Sequence, residues 1–197
     1  MSKEIVLGVD LGIKRSISTS AFLNYGDYTM YDAVTKHWGE ANSWIEEWIV
    51  SLSTQLIEYI RTHNVNIMAM EDLNIESMTI SENMKEYLKA LKNGIELVAK
   101  ENDVTIKYVD PRNTSKLCSN CGKIGRRKRR DFKCSKCGFT ENADVNAAKN
   151  IGLRYIINEA RETKFLGINP SGRYYLAMSY GPKSYEDFEW VRKTIET

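Results

Sequence analysis

Residues 118–146, CSNCGKIGRRKRRDFKCSKCGFTENADVN, contain two Cys-x-x-Cys pairs that are separated by twelve residues. Each pair can place two thiolates about 2.3 Å from one ion, and two pairs complete a closed tetrahedron. Gly122 and Gly138 directly follow the second cysteine of each pair, where tight turns favour glycine. The alternative is two unrelated thiol pairs or redox centres, which this spacing disfavours. The pattern predicts one structural zinc ion held by Cys118, Cys121, Cys134 and Cys137.

A basic run, RRKRR at residues 126–130, lies between the two cysteine pairs. Residues 110–139 hold ten basic and two acidic residues, although the whole chain has a formal net charge of only +2. A basic patch on an otherwise acidic chain suggests a polyanionic partner that is held at one place. Alone, the run fits a solvated loop or a localisation signal equally well. Fixed between two metal-bound pairs, it predicts a phosphate-contacting finger, with Arg126, Arg127, Lys128, Arg129 and Lys133 as candidate contacts.

The composition of the 197-residue chain, 42% hydrophobic and 27% charged, is typical of a globular protein with a sizeable core. The N-terminal stretch MSKEIVLGVDLG has too short an apolar run for a signal peptide, and no stretch approaches membrane-spanning length. All four cysteines lie within residues 118–137, which favours a metal site over a secreted disulfide framework. We therefore expect a cytoplasmic protein in a reducing compartment, without a membrane partner.

The hydrophobic pattern predicts a mixed α/β order. Apolar and β-branched runs predict three strands with short connections in residues 5–36, then a strand that ends at Glu71 and another that Pro111 stops. The second predicted helix opens with Thr79 and Glu82 in the spacing of a capping box. Apolar residues at helical spacing predict three helices, over residues 41–63, 79–102 and 142–162.

Three acidic residues are candidates for metal ligands. Asp10 lies between glycines in the middle of an apolar strand, where a charge is costly unless it is paired or bound to a metal. Glu71 ends a buried strand, whereas its neighbour Asp72 would face the opposite side and is the weaker candidate. Asp144 starts a helix, where a carboxylate is favourable anyway. Periodicity alone does not bring these residues together, but three carboxylates suit Mg²⁺ or Mn²⁺, and two such ions support phosphodiester hydrolysis.

Five motifs, in this order between about residues 4 and 157, carry a resemblance: GVDLG, MEDLN, VDPRNTSKLCSNCG, FKCSKCG and NADVNAAKNI. They resemble the RuvC-like nuclease domain with inserted zinc ribbon of the transposon-encoded TnpB proteins, to which the type V CRISPR effectors are related. The resemblance implies an RNase H-like (RuvC-type) α/β fold, with a mixed sheet whose first three strands are antiparallel and with flanking helices. It also implies catalytic Asp10, Glu71 and Asp144 around two Mg²⁺ or Mn²⁺ ions, and a supporting ribbon arginine, Arg130.

The resemblance also predicts how the chain is divided. Residues 1–113 would form the first part of the nuclease core, 114–141 the zinc ribbon, 142–162 the last core helix and 163–197 an extension of unassigned role. In that extension we expect a strand over residues 173–180 and a short terminal helix. TnpB-like proteins grip a guide RNA with a long N-terminal half, whereas this sequence begins at the first nuclease strand. We expect DNA as the main partner, RNA or a guide RNA as the lesser one, and either a homodimer or a separate guide-binding subunit.

The predicted function is that of a metal-dependent endonuclease that hydrolyses single-stranded, branched or R-loop DNA by a two-metal mechanism. The alternative is a non-catalytic nucleic-acid-binding module, or a partner or modulator of an RNA-guided system, in which the carboxylates remain idle. Insensitivity of its activity to Asp10→Ala would favour that alternative. A purely structural zinc protein is a third hypothesis, and it leaves the carboxylate of Asp10 in its glycine-flanked strand unexplained.

Overall fold

The central element of the fold is a mixed five-stranded sheet. The computed structural model describes residues 5–12, 16–23, 35–37, 45–159, 174–177 and 190–193, with side chains for 5–12 and 50–155. The strands are β1 (Ile5–Gly12), β2 (Ser16–Leu23), β3 (Thr35–His37), β4 (Ile67–Glu71) and β5 (Thr105–Val109), in the order β3-β2-β1-β4-β5. The first three strands pair antiparallel, whereas β4 is parallel to β1 and β5 to β4. This confirms the predicted mixed sheet with an antiparallel start.

Three helices cover the two faces of this sheet: α1 (Ile45–His63), α2 (Glu82–Glu101) and α3 (Ala143–Glu159), with a short 3-10 helix (Ile75–Ser77) before α2. Because side chains alternate along a strand, Leu7 and Val9 of β1 pack in the apolar cluster with α1 and α2, and Val6 packs in the cluster with α3. All three helices lie within the predicted segments. Residues 41–44 and the segment between β2 and β3 fall outside the described residues.

The start of α2 differs from the sequence prediction. Ser81 is the N-cap residue, its side chain makes no capping hydrogen bond, and Glu82 is the first helical residue. A capping box needs its Glu at the third helical position, so the predicted pair of Thr79 and Glu82 is wrong. Glu82 instead accepts a hydrogen bond from Lys85 Nζ at 2.8 Å, one helical turn further on.

A close approach between β1 and α3 brings the sheet and the last helix together. A Cβ atom on Gly8 would lie 2.7 Å from the backbone nitrogen of Gly152 and closer still to the carbonyl of Ala148. Only glycine leaves this space, so α3 rests directly on the strand that carries Asp10. Gly8 and Asp10 lie on the same face of β1, so the Asp10 side chain is on the face of the sheet that α3 covers.

A second, three-stranded sheet forms around the cysteine pairs: β6 (Arg126–Lys128), β7 (Asp131–Lys133) and β8 (Thr140–Asn142). The basic run is therefore the first strand and turn of a hairpin in which Arg127 pairs with Phe132. Arg129 in the turn has a φ of 57°, in the left-handed region. Phe132 is 1% exposed and packs with Cys118 and Cys134. We call β6–β8 and the two cysteine pairs, residues 114–142, the ribbon.

Two short strands, β9 (Tyr174–Ala177) and β10 (Trp190–Lys193), pair antiparallel near the end of the chain. The strand predicted over residues 173–180 is confirmed at residues 174–177, and its remaining residues lie outside the described part. The predicted terminal helix is wrong at residues 190–193, where a Trp-Val pair favours a strand that β9 can accept, and its remaining residues lie outside the described part. The division of the chain into core, ribbon and extension stays a prediction. Among the described helices, none is long and apolar enough to cross a membrane.

Candidate active site

The three predicted carboxylates line one cleft of ≈ 760 Å³. Asp10 lies on β1, Glu71 ends β4 and Asp144 lies in the first turn of α3. The parallel register that pairs Val9 with Met70 continues to place Asp10 beside Glu71 at one edge of the sheet. The approach of α3 to β1 then brings in Asp144. Asp72, the weaker candidate, is exposed and does not line the cleft.

The charges in this cleft repel one another. Burial raises the pKa of Asp10 well above its ordinary value, and the neighbouring carboxylates of Glu71 and Asp144 raise it further. Burial also raises the pKa of Glu71, while a hydrogen bond from Thr114 and the positive charge of Arg154 act in the opposite direction. A site in which ionised carboxylates are this unfavourable has a strong electrostatic preference for a bound cation.

The donor chemistry of the cleft fits a hard divalent cation. Its three carboxylates offer the oxygen ligands that Mg²⁺ and Mn²⁺ prefer. The carboxylates come from three separate elements and line one cleft, so they can surround a cation from several directions.

Two buried polar residues near Glu71, Thr114 and Arg154, were not predicted from the sequence, and Thr114 also lines the cleft. The Thr114 side chain is 3% exposed, and its hydroxyl donates a hydrogen bond to Glu71 Oε1. Arg154 of α3 is 1% exposed and donates from Nη1 to the carbonyl of Asp110. Asn146, Asn150 and Arg154 follow one another at intervals of four residues and therefore share one face of α3. These polar residues among the apolar residues of the helix were the available sequence signal, because buried polar groups need partners.

The start of α3 is fixed by Asn142, which was also not predicted from the sequence. Asn142 Oδ1 accepts hydrogen bonds from the backbone nitrogens of Asp144 at 2.9 Å and Val145 at 3.3 Å. This is the geometry of an N-cap, and asparagine is among the preferred residues for it. The signal was present in the sequence, since Asn142 directly precedes the helical pattern. The cap fixes the backbone from which the Asp144 carboxylate projects.

The hairpin turn of the ribbon brings arginines to the rim of the cleft. Arg127, Arg129 and Arg130 all line it. Arg127 Nη2 donates to Asp144 Oδ1 at 2.5 Å, and the Arg127 side chain remains 36% exposed. Arg130, the predicted supporting arginine, contributes its carbonyl to the backbone nitrogen of Ala143 at 2.6 Å. Its catalytic role stays a prediction, whereas Arg127 contacts the Asp144 carboxylate.

The other predicted nucleic-acid contacts lie further from the cleft. Arg126, Lys128 and Lys133 are exposed on the two strands of the hairpin and do not line the cleft. Their exposure leaves them accessible to a phosphate backbone, and their role in binding stays a prediction.

The four cysteines form a second candidate metal site. Cys118 Sγ lies 3.7 Å from Cys137 Sγ, and Cys121 Sγ lies 3.6 Å from Cys134 Sγ. Four sulfurs at 2.3 Å from one ion in a tetrahedron are about 3.8 Å apart, so the group fits a thiolate-bound metal. Gly122 and Gly138 have φ values of 72° and 77°, which confirms the predicted turns. A hydrogen bond from Cys118, with others from the remaining cysteines, lowers the pKa of Cys121 to about 5.

Part of this chain is similar in sequence to known proteins. Residues 89–151 match the protein-family model described as Cas12f1-like, TNB domain. The chain is 35% identical over 124 residues to a CRISPR-associated endodeoxyribonuclease Cas12f1 of an uncultured archaeon, covering 54% of this chain and 22% of the relative. It is 30% identical over 125 residues to the TnpB-like protein MJ0751 of Methanocaldococcus jannaschii, covering 59% and 45%. The matched part is thus less than half the length of either relative.

Solved structures with the same fold come from two groups of proteins. A Cas12f1–sgRNA–target DNA complex matches with a TM-score of 0.56 and 21% identity, over 75% of this chain and 49% of that one. Thermus thermophilus RuvC in complex with a Holliday junction substrate matches with a TM-score of 0.57 and 10% identity, over 79% and 95%. The predicted RNase H-like, RuvC-type fold is confirmed. The sequence matches add that part of this chain is similar to TnpB-like and Cas12f1 proteins.

Proposed function

We propose that this chain is a metal-dependent endonuclease that hydrolyses phosphodiester bonds of DNA. One observation carries the proposal: Asp10, Glu71 and Asp144, from three separate elements, line a single cleft whose rim carries arginines. A structural role explains neither the grouping of repelling carboxylates nor the basic rim above them. Carboxylates that bind cations, next to guanidinium groups that bind phosphates, are the complementary halves of a phosphodiester-cleaving site.

Two metal sites belong to this proposal. One zinc ion would be held by the four cysteines, which leave no open position and give it a structural role. Two Mg²⁺ or Mn²⁺ ions would be held by Asp10, Glu71 and Asp144, where they would supply the activation of a water and the stabilisation of the leaving oxygen. The protein contributes the fixed directions of the carboxylates, and the arginines on the ribbon hairpin would orient the scissile phosphate.

The matched proteins support DNA as the substrate. One relative is named an endodeoxyribonuclease, and the solved neighbours hold target DNA with a guide RNA or a Holliday junction. We therefore propose single-stranded, branched or R-loop DNA, with an RNA guide or a partner subunit where the DNA must be opened first. The exposed Arg126, Lys128 and Lys133 would bind the phosphate backbone without sequence preference.

The test is a cleavage assay with a panel of labelled substrates: single strands, duplex, four-way junction, R-loop and RNA, each with Mg²⁺ or Mn²⁺. Asp10→Ala, Glu71→Ala and Asp144→Ala are each expected to abolish cleavage and to retain folding and binding. Asp72→Ala is the matched control, because Asp72 is an exposed neighbour of Glu71. This variant should cleave normally. Cleavage that persists in the three cleft variants would contradict the assignment.

The second candidate function is a non-catalytic nucleic-acid-binding module. The observation that favours it is the ion pair between Arg127 and Asp144, which neutralises one cleft carboxylate with a charge of the chain itself. Under this candidate, the same panel would show binding without cleavage by the wild-type protein, and Asp10→Ala would bind as the wild type does.

A further inference from the structure

The hydroxyl of Thr114 links the cleft to the ribbon. It donates to Glu71 Oε1, and the carbonyl of Pro111 lies 3.0 Å from the same hydroxyl. Thr114 is only four residues before Cys118, the first cysteine of the ribbon. A side chain that is 3% exposed and bonded to a cleft carboxylate has one orientation available, so it restricts the orientation of Glu71.

Two buried asparagines of α3 hold the segment that carries Thr114. Asn150 Nδ2 donates to the carbonyls of Thr114 and Leu117, both at 2.7 Å. Asn146, which is fully buried, donates to the Leu117 carbonyl at 2.7 Å and accepts from the backbone nitrogen of Ser119 at 2.9 Å. These hydrogen bonds tie backbone groups within residues 114–119 to α3. The same helix carries Asp144.

We propose that Thr114 is a positioning residue for Glu71, held in place by Asn146 and Asn150. The inference rests on the proposed function, because Glu71 acts there as a metal ligand. One carboxylate oxygen of Glu71 accepts a hydrogen bond from the Thr114 hydroxyl, and Glu71 lines the cleft. Residues that orient a metal ligand in this way typically contribute about 10- to 100-fold to metal affinity or activity.

The contacts form a continuous chain from the ribbon to Glu71. Asn146 and Asn150 bind the backbone of Thr114, Leu117 and Ser119, on both sides of Cys118. A change in this segment therefore reaches Glu71 through the Thr114 hydroxyl. Thr114 touches Glu71 and, in this proposal, neither the metal nor the nucleic acid.

The experiment compares Thr114→Val, which keeps the shape and removes the hydroxyl, with Thr114→Ser, which keeps the hydroxyl. Mn²⁺ binding to the full chain is titrated by the electron paramagnetic resonance signal of free Mn²⁺, with Asp10→Asn as the background. Single-turnover cleavage is measured against Mn²⁺ concentration, and substrate binding is measured in Ca²⁺. Zinc content and melting temperature report on the ribbon and the fold.

We expect Thr114→Val to weaken Mn²⁺ binding about 10- to 100-fold, to raise the Mn²⁺ concentration needed for cleavage in parallel, and to leave zinc content and substrate binding unchanged. Thr114→Ser should recover the Mn²⁺ affinity. Wild-type Mn²⁺ affinity in Thr114→Val, or failure of Thr114→Ser to recover it, overturns the positioning role while the proposed function stands. If the wild-type chain shows neither cleavage nor Mn²⁺ binding that depends on Asp10, the proposed function is overturned. The role of Thr114 is then overturned as well.

Discussion

Asp10 shows how a candidate site residue opposes stability. In the folded chain its pKa is raised by burial and by the nearby Glu71 and Asp144 carboxylates. A carboxyl group with a raised folded-state pKa favours folding most while it is protonated. Its contribution is therefore lost as the pH rises from the unfolded-state value of about 3.9 through the folded-state pKa. At neutral pH the metal-free cleft is destabilising.

Asp10→Asn should therefore raise the melting temperature of the metal-free protein at pH 7 while it abolishes cleavage. The amide removes the buried charge, and each kcal/mol gained corresponds to about 2–4 °C for a chain of this size. Thermal melts between pH 4 and pH 8 would show a smaller decline in stability for the variant than for the wild type. Added Mg²⁺ should raise the melting temperature of the wild type only.

Asp72→Asn is the matched control for that comparison, because Asp72 is exposed and lies outside the cleft. It should keep the melting temperature, the pH dependence and the cleavage of the wild type. An Asp10→Asn variant that melts below the wild type at pH 7 would show that the carboxylate is compensated by partners other than a cation.

The candidate site could be predicted from the sequence only in part. Asp10 and Glu71 were identified because a charge in an apolar strand is a local anomaly that is visible without a structure. Thr114 was not, because its value lies in a hydrogen bond to a residue 43 positions away. Arg127 and Arg130 could not be separated for the same reason, since only the hairpin register decides which one contacts Asp144.

At the scale of elements, the first turn of α3 determines the position of Asp144. The Asn142 cap holds this turn, and Gly8 lets the helix lie directly on β1. The helix itself was predictable from its apolar spacing. Its distance from β1 was not predictable. The helix can lie this close only because Gly8 has no side chain at the point where the backbone of α3 packs on the strand.

Replacing Asn142 by Ala should destabilise the protein by about 1 kcal/mol, through the loss of two hydrogen bonds to the backbone. For this chain length, that corresponds to about 2–4 °C in melting temperature. Cleavage should fall as well, because the backbone of Asp144 is released. Asn142→Ser, which retains a capping oxygen, is the control and should remain close to the wild type in both measurements. Equal effects of Ala and Ser would contradict the capping role.

The hairpin of β6 and β7 was not predicted, since three-residue strands rich in arginine and lysine carry no clear alternation of apolar residues. Strand pairing turns the basic run into two faces. Arg127 lies on the face toward Asp144, and the adjacent Arg126 therefore projects to the opposite side. The hairpin thus places neighbouring arginines on different faces.

Arg127→Gln should lower the single-turnover cleavage rate by about 100-fold, the usual loss for one donor that faces a reacting group. Arg126→Gln should affect mainly substrate affinity, because its side chain lies on the other face. Arg130→Gln tests the prediction from the sequence. A larger rate loss in Arg130→Gln than in Arg127→Gln would transfer the supporting role to Arg130.

The whole molecule contains two parts that are stabilised in different ways. The larger apolar cluster lies between the sheet and helices α1 and α2 and includes no ribbon residue. The ribbon has a small cluster around Phe132 and Cys134. It is attached to α3 by a partly buried ion pair in which Lys149 Nζ lies 2.6 Å from Glu141 Oε1. The core can therefore remain folded when the ribbon loses its metal, whereas the ribbon has too little apolar contact to do so.

Cys134→Ser should release the zinc ion and disorder the ribbon while the sheet and α1–α2 core persist. Nucleic-acid binding should weaken, and its salt dependence should decrease by about 0.9 in the logarithmic slope for each phosphate of duplex DNA that the variant no longer neutralises. Zinc content, the far-ultraviolet circular dichroism spectrum and binding isotherms at several salt concentrations measure these effects. Ser135→Ala, at the exposed neighbouring position, should change none of them. Because the ribbon also carries Thr114, the cleavage rate should fall even at saturating substrate. A variant that loses zinc but keeps both the wild-type salt slope and the wild-type rate would show that the cleft functions independently of the ribbon.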